Sequence, residues 1–341
     1  MSNVPVDTSL EVAPVAVAAA PVVTRGNAKP RRRFVFVRNG KSVTGLVILG
    51  VFVVLAVIGP YVTPYPPSKI GVGKLLEHPS TKHLLGTDHI GRDVFSQLLV
   101  GTRGVMMVGI LAAVIATFLA IAVGVTAGFV GGAGDEALSM VSNIFLVIPA
   151  LPLIILVSSA IRNTSNLTIA LVLGLTGWAW GARLLRAQTL SLRRRDFVEA
   201  ARASGERTWR IVWFETLPNL TAIIASSFIS TMTFAVLSQT TLAFIGVANL
   251  NDWSWGTALY WAQGNQALAR GAWWWFVPAG VLIAILGMSL SLVNFGIDEF
   301  VNPRLRLAGL KPREMRKRGI RPRIGFTATV RDLPRRPEDV Q

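Results

Sequence analysis

Apolar residues in this chain gather into long, nearly uninterrupted runs and do not alternate with polar residues. About 20 apolar residues in a helix cross the hydrocarbon core of a bilayer, and several runs reach that length. The six predicted spans are Val43–Val62, Val105–Val130, Ala137–Ile161, Leu167–Ala187, Leu220–Val247 and Trp274–Phe295. The second and fifth are longer than necessary, which indicates tilt or an interfacial turn. The pattern predicts an all-α polytopic membrane protein with six transmembrane helices and does not fit barrel strands.

The runs divide the chain into three parts. Residues 1–42 are predicted to be a disordered basic tail, residues 43–300 a six-helix transmembrane domain, and residues 301–341 a second basic tail. The first tail contains the apolar stretch "EVAPVAVAAAPVV". Its prolines and the position of the basic residues after it argue against a secretory signal.

Positive charge predicts how the chain is oriented. Of the 34 Lys and Arg residues, seven precede the first span, eight lie in or beside the segment between the fourth and fifth spans, and twelve follow Val301. Cytoplasmic loops carry an excess of Lys and Arg, so both termini and that segment are expected inside the cell, at the plasma membrane. The net charge of +16 is assigned to lipid headgroups in preference to nucleic acid. The segment Thr63–Gly104 then lies outside, as an irregular loop with a short helix near Val94–Val100.

Polar residues within the predicted spans have two interpretations. No Asp, Glu, Lys, Arg or His stands in the middle of a span, which argues against proton relays and ion coupling. The weaker polar side chains that do occur either hydrogen-bond between helices or line a translocation path. The candidates for the path are Asn143, Ser238, Gln239, Thr240 and Asn294.

Motifs for catalysis, cofactors and metals are missing. There is no cysteine, which excludes disulfides. The stretch "NGKS" (Asn39–Ser42) is no phosphate-binding loop, because Val35 occupies the position of an essential glycine. The spacing of His78, His83 and His89 does not place them on one helical face, so we expect exposed loop histidines and no metal site. The chain is therefore predicted to bind no cofactor or metal and to be no enzyme, and a partner must supply any energy for transport.

A charged, helix-forming stretch, "DFVEAARASGERTWRIVWFETLPN", runs from Asp196 to Asn219 between two spans. Asp196 and Glu199 form an acidic variant of the capping box, which predicts a helix starting at Phe197. Alanines favour that helix, and Gly205 is placed to end it. The result is a short helix followed by a glycine turn.

A second short helix is predicted from Trp209 to about Thr216, with Thr208 as its cap and Pro218 in the first turn of the fifth span. One stripe of this helix contains Trp209, Val212, Trp213 and Thr216. Two interpretations fit the pair of helices. They lie in the headgroup layer with their tryptophans as anchors, or they form a knob that docks into another protein.

The same stretch resembles the "EAA" loop of ATP-binding-cassette importer permeases. The residues that carry the resemblance are Glu199, Ala200, Ala201, Gly205, Leu217 and Pro218. The stretch departs from the family pattern at Glu215, where an aliphatic residue is common. Three further segments are similar to the oligopeptide and dipeptide branch of that family: His83–Arg103, Leu242–Leu259 and the closing "DEFVNPRLR". The resemblance covers roughly Thr44 to Arg306.

The resemblance implies a role for this part of the chain. In such permeases the loop is a coupling helix that sits in a groove of a cytoplasmic ATPase subunit, here within residues 188–218 and including Asp196. ATP binding closes two ATPase subunits, and the spans switch between two states. The implied partners are a homologous second permease subunit, two cytoplasmic ATPases that hold ATP and Mg²⁺, and an extracytoplasmic solute-binding protein.

The cargo implied by the resemblance is an oligopeptide or a dipeptide, and the alternatives are oligosaccharides or nickel. Six tryptophans near the predicted outer face suit either sugar stacking or an interfacial aromatic belt. They are Trp253, Trp255, Trp261, Trp273, Trp274 and Trp275. Functions of another class are a self-sufficient channel or secondary transporter and a membrane enzyme. The lack of intramembrane charge and of catalytic motifs argues against these.

Overall fold

The computed structural model describes residues 40–161 and 165–301, which all belong to the second of two units of the chain, Val35–Gln341. These residues form α-helices and two π-helical turns, with no strand among them. In chain order the elements are α1 (Gly40–Val62), α2 (Val94–Ala120), π1 (Ile121–Val125), α3 (Thr126–Val130), α4 (Gly132–Val147), α5 (Ala150–Ala160), α6 (Asn166–Leu192), α7 (Asp196–Ala203), α8 (Thr208–Arg210), π2 (Ile211–Thr216), α9 (Leu217–Phe244), α10 (Trp255–Gly264) and α11 (Trp273–Val301). The predicted tails lie outside the described residues, apart from Gly40–Ser42 and Val301.

Five helical stretches are long and apolar enough to cross a membrane: α1, α2 through α3, α6, α8 through α9, and most of α11. The pair α4 and α5 makes a sixth if a helix bent by 85° is counted as one span. The prediction of an all-α polytopic membrane protein is thus confirmed. The third predicted span is broken because Pro149 follows Ile148, which adopts the extended backbone (ψ 126°) favoured before proline.

The second span begins earlier than predicted. The separate short helix expected near Val94–Val100 is instead the start of α2, which Asp93 caps by accepting a hydrogen bond from Ser96 N at 2.8 Å. Arg103 interrupts the apolar run there, although the backbone stays helical. Gly104 lets the helix continue under the chain that precedes α10, because a Cβ at that position would lie 2.9 Å from the Trp253 carbonyl oxygen.

The centre of the bundle is α2, which packs against α1, α6 and α9. Close approach depends on small residues, as is usual between membrane helices. A Cβ on Gly124 in π1 would overlap the Ala182 carbonyl of α6, and one on Gly109 would come within 2.7 Å of Val236 on α9. These contacts fix how α6 and α9 lie along α2.

At the end where α2 begins, residues 63–93 and 253–275 pack together, and we call this part the cap. It includes α10, which no apolar run predicted and which Ser254 and Thr257 open with a reciprocal capping box. The indole of Trp255 donates to the Leu98 carbonyl at 3.2 Å, and that of Trp274 donates to the Thr87 carbonyl at 3.3 Å. The first of these bonds ties the cap to α2, and the second joins the two segments of the cap to each other.

Two expectations about the cap are corrected by its packing. His83 is not exposed but 3% accessible, because its Nδ1 lies 2.9 Å from Asp93 Oδ1 and partners that buried carboxylate. Trp255, Trp274 and Trp275 are core residues, at most 2% accessible, so they form neither an interfacial belt nor an open sugar platform. Trp273, by contrast, is 54% accessible.

Candidate functional site

The helix α7 comes from the stretch predicted to form a helix and a glycine turn, and it ends as predicted. Gly205 has φ +77°, donates its N–H to the Arg202 carbonyl at 2.9 Å and is followed by Glu206, whose N–H reaches the Ala201 carbonyl at 3.1 Å. These two bonds are those of the Schellman motif, in which glycine is favoured at the left-handed position. Nothing lies within 4 Å of where a Gly205 side chain would start.

The capping residues differ from the prediction. Arg195 is the N-cap of α7 and makes no side-chain cap, so Asp196 and Glu199 form no capping box but occupy the first turn. Their carboxylates still favour the helix there through its dipole. Likewise Arg207, and not Thr208, precedes the next helix.

The second helix is not separate from the fifth span. Its backbone runs through α8, π2 and α9 without a break, and Pro218 stands in the first turn of α9 as predicted. The π-helical turn changes the register of the predicted stripe, since each extra residue rotates the later side chains about the helix axis. Trp209 and Trp213 are 57% and 64% accessible, whereas Thr216 of the same stripe is fully buried.

One face of α7 is anchored to the end of the second span. Val198 of α7 is fully buried in a cluster with Phe129 of α3 and Ile211 of π2. The guanidinium of Arg202 lies 5.3 Å from the Phe129 ring centroid, and Arg193 donates to the Phe129 carbonyl at 3.1 Å. Packing and a cation–π contact therefore join α7 to α3.

The opposite face of α7 is free within the described part of the chain. Asp196, Glu199, Ala200 and Gly205 are exposed, and Ala201 is half-buried against the anchor. Further along, Leu217 is half-buried and Pro218 exposed. The residues of the predicted coupling loop thus divide between an anchored face and a face that a partner can reach.

The five candidates for the path lie in different surroundings. Ser238, Gln239 and Thr240 are buried in α9, and the Thr240 hydroxyl donates to the Val236 carbonyl of its own helix. Asn143 is exposed on α4, and its Oδ1 accepts from Arg183 at 2.7 Å.

Asn294 of α11 is half-buried and bonds to α9. It accepts from Ser226 at 2.6 Å and donates to Ser230 at 3.3 Å. Side-chain hydrogen bonds of this kind join helices inside membranes.

Arg183 and Arg186 were counted in or beside the segment after the fourth span, whose predicted end was Ala187. The helix extends to Leu192, so Arg183 and Arg186 stand on it. Arg186 forms a two-pronged ion pair with Asp135 of α4, at 2.5 and 2.8 Å. The spacing of three residues between the two arginines indicates from the sequence alone that both lie on one face of a helix.

The fold and the anchored helix α7 define a polytopic α-helical membrane protein with a short charged helix between two of its spans. Residues 120–307 match the family described as the inner membrane component of binding-protein-dependent transport systems. Residues 31–79 match the N-terminal transmembrane domain of oligopeptide transport permease C. The chain belongs to the family of binding-protein-dependent transport system inner membrane components.

Permease proteins of other bacteria are similar to this chain over most of their length. The oligopeptide transport system permease protein OppC of Mycobacterium tuberculosis (strain ATCC 25618 / H37Rv) is 33% identical, over 80% of this chain and 93% of that protein. OppC of Bacillus subtilis (strain 168) is 30% identical, over 80% of this chain and 88% of that protein. The dipeptide transport system permease protein DppC of the same strain is 28% identical, over 79% and 83%.

Proposed function

We propose that this chain is the membrane-spanning permease subunit of an ATP-driven importer that moves oligopeptides or dipeptides across the plasma membrane. The family match and the names of its relatives support the transport role and the peptide cargo. The bundle of long apolar helices supports a path through a bilayer. The chain itself performs no catalysis in this proposal.

The observation that carries the mechanism is the two-faced helix α7. Its buried face is fixed to Phe129 at the end of the second span, while Glu199, Ala200 and Gly205 are free on the other side. We infer that a cytoplasmic ATPase subunit grips this free face. When ATP closes the ATPases, the displacement of α7 reaches α3 and the long helix that continues into α2, which biases the spans between two states.

The proposal includes four kinds of partner. A homologous second permease subunit completes the path, two ATPase subunits hold ATP and Mg²⁺, and an extracytoplasmic solute-binding protein delivers the cargo. Both termini and α7 are then cytoplasmic, in agreement with the distribution of Lys and Arg. The cap faces outward, where the solute-binding protein approaches.

An oligosaccharide cargo is disfavoured by the packing of the cap. Sugar stacking requires open indole faces, and of the six tryptophans considered only Trp273 is exposed, while Trp255, Trp274 and Trp275 are at most 2% accessible. Peptide cargo needs no such platform.

Replacing Gly205 with tryptophan tests the coupling role. A Cβ at Gly205 has no neighbour within 4 Å in this chain, so an indole there starts in open space on the side where a partner would dock. We expect Gly205→Trp to lower ATP-dependent peptide uptake at least about tenfold in liposomes with the complete importer, since about 1.4 kcal/mol of lost docking suffices. The ATPase subunits that co-purify with the chain should fall in parallel.

Two variants separate docking from backbone strain. Gly205→Asn keeps a residue that tolerates positive φ and should retain most uptake. Gly271→Trp places the same indole at another glycine with positive φ (+68°) and empty surroundings, but in the cap. It should leave ATPase co-purification unchanged, and normal uptake with Gly205→Trp would contradict the proposal.

A further inference from the structure

A groove runs along α4 and α6 from the break between α4 and α5 toward the α7 end of the bundle. It consists of three adjoining hollows of about 400, 620 and 60 Å³. The first and second share Val147 and Ile148, and the second and third share Ser139, Asn143 and Arg186. The three hollows therefore adjoin one another along α4 and α6, and we call them together the α4–α6 groove.

The polarity of the groove changes along its length. At the helix break its walls are mainly apolar and include Phe145, Trp180 and Phe234. At the other end Ser139, Asn143, Arg183 and Arg186 line the smallest hollow. Both ends lie on helices that are long and apolar enough to cross a membrane. α6 qualifies as one span, and α4 qualifies together with α5 as a bent pair.

The two arginines of the groove differ in how their charge is balanced. Arg186 is neutralised by the two-pronged pair with Asp135. Arg183 donates to the neutral amide oxygen of Asn143 at 2.7 Å, and none of the carboxylates in residues 40–161 and 165–301 forms an ion pair with it. Glu136, the other acidic residue on the groove, lines the second hollow and not the hollow that Arg183 lines. The smallest hollow, which Arg183 lines, therefore carries an unbalanced positive charge.

Arg183 stands on a helix that is long and apolar enough to cross a membrane. It lies nine positions before the end of α6 at Leu192, or about 14 Å along the helix axis. Its side chain is exposed on the surface of this chain. A guanidinium on a membrane-crossing helix is costly against lipid tails, so such a charge faces a water-filled cavity, a partner or the headgroup layer.

We propose that the α4–α6 groove is this subunit's wall of the translocation path and that Arg183 binds the carboxylate of the peptide as it leaves. The proposal rests on the proposed function and adds to it a named contact for the cargo. A guanidinium matches a carboxylate with two parallel N–H donors, and every unmodified peptide carries a C-terminal carboxylate. Asn143 holds the guanidinium in the groove and acts as a positioning residue.

The first test measures the potential in the groove without transport. The chain has no cysteine, so Ser139→Cys gives a single, nearly isosteric thiol in the hollow that Arg183 lines. In membranes with the assembled importer, we compare its modification by an anionic and a cationic methanethiosulfonate of similar size. Adding Arg183→Gln should slow the anionic reagent and speed the cationic one, each by roughly a few-fold, the order of magnitude that Coulomb's law gives in water for one charge in the same small hollow. Ser291→Cys, exposed on α11 away from the groove, should show no effect of Arg183→Gln.

Two results of this test overturn the proposal. A Ser139 thiol that reacts with neither reagent means that the groove is not aqueous. Protection of the thiol by anionic lipid, compared with zwitterionic lipid, means that Arg183 binds headgroups instead of cargo.

The second test uses transport by the complete importer. We compare a tripeptide with its C-terminal amide, choosing a pair that the solute-binding protein is first shown to bind. Because that protein is unchanged, the ratio of variant to wild-type uptake isolates the permease. Arg183→Gln should slow the free acid about tenfold, in line with the loss of a charge-assisted pair, and leave the amide near wild type. If Arg183→Gln slows both peptides equally, or slows neither, the proposal is overturned. If the wild-type assembly shows no ATP-dependent uptake at all, the proposed function itself is contradicted.

Discussion

At the scale of single residues, His89 is a titratable group of the cap whose pKa is changed by its surroundings. Its ring stacks on Trp275 and Trp261, with centroid distances of 5.2 and 6.4 Å. Burial is the main cause that lowers the pKa of His89 below its ordinary value of 6.5. The nearby Asp88 raises this pKa, and Arg92 and Arg270 lower it further. His89 is therefore neutral in the folded cap at neutral pH.

This lowered pKa predicts a loss of stability in mild acid. Below pH 6.5 the unfolded chain takes up a proton at His89 that the folded chain does not, so the free energy of unfolding falls until the pH reaches the folded pKa. Above pH 6.5 the contribution is fully present. The melting temperature of the purified assembly should thus fall more steeply between pH 7 and 5 in wild type than in His89→Gln. Parallel curves for the two proteins would show that His89 has no such role, and His78→Gln, at an exposed histidine, should behave as wild type.

Local sequence rules predicted residues whose role is set by neighbours along the chain. Gly205 ends α7 with positive φ, and Pro218 opens α9, because both depend on backbone geometry alone. His83 was predicted wrongly because its burial depends on Asp93, ten residues away, which sequence spacing did not pair with it. The end of the fourth span was predicted at Ala187, five residues too early, because the helix outlasts its apolar run.

At the scale of secondary-structure elements, the contact of π1 with α6 determines how two spans cross. A Cβ on Gly124 would overlap the Ala182 carbonyl, and backbone at a packed crossing has little room to move. By contrast, a Cβ on Gly50 of α1 meets nothing within 4 Å. These two glycines form a matched pair for a stability test.

Gly124→Ala should destabilise the chain by about 1–3 kcal/mol through overpacking. Gly50→Ala should have no such cost and should stabilise α1 slightly, because alanine favours helix over glycine by about 1 kcal/mol. Thermal unfolding of the full chain in detergent measures both changes. An unchanged melting temperature for Gly124→Ala would mean that π1 and α6 separate readily.

Apolar runs predicted the order of the spans and five of the six directly, because a bilayer demands about 20 apolar residues per crossing whatever the tertiary contacts. They did not predict the break at Pro149, since the residues on both sides remain apolar. Nor did they predict α10, whose start depends on the capping pair Ser254 and Thr257 and not on hydrophobicity.

At the scale of the whole molecule, the two long helices built around α2 and α9 connect the cap to α7. Each extends over 37 residues, from Val94 to Val130 and from Thr208 to Phe244. Trp255 bonds to Leu98 near one end of the first helix, and the cluster around Phe129 holds α7 at its other end. A displacement at α7 therefore acts on elements that reach the cap.

The transport role was accessible from the sequence because the spacing of Glu199, Ala200, Ala201 and Gly205 is local. The lining of a path was not, because it depends on which side of each helix faces the neighbouring spans. Three of the five predicted path residues, all in α9, are buried in this chain, whereas the groove is lined by Asn143 and by arginines that no rule about apolar runs selects.

The most direct test of the account is photo-crosslinking from α7 in intact cells. A benzoylphenylalanine in place of Glu199, on the free face of α7, should form an adduct with an ATPase subunit. The same residue in place of Leu268, which is 79% accessible in the cap, should form none. The assembly must still retain its ATPase subunits for the result to count. If the Glu199 site then forms adducts that contain no ATPase, the claim that ATP drives transport through α7 is contradicted.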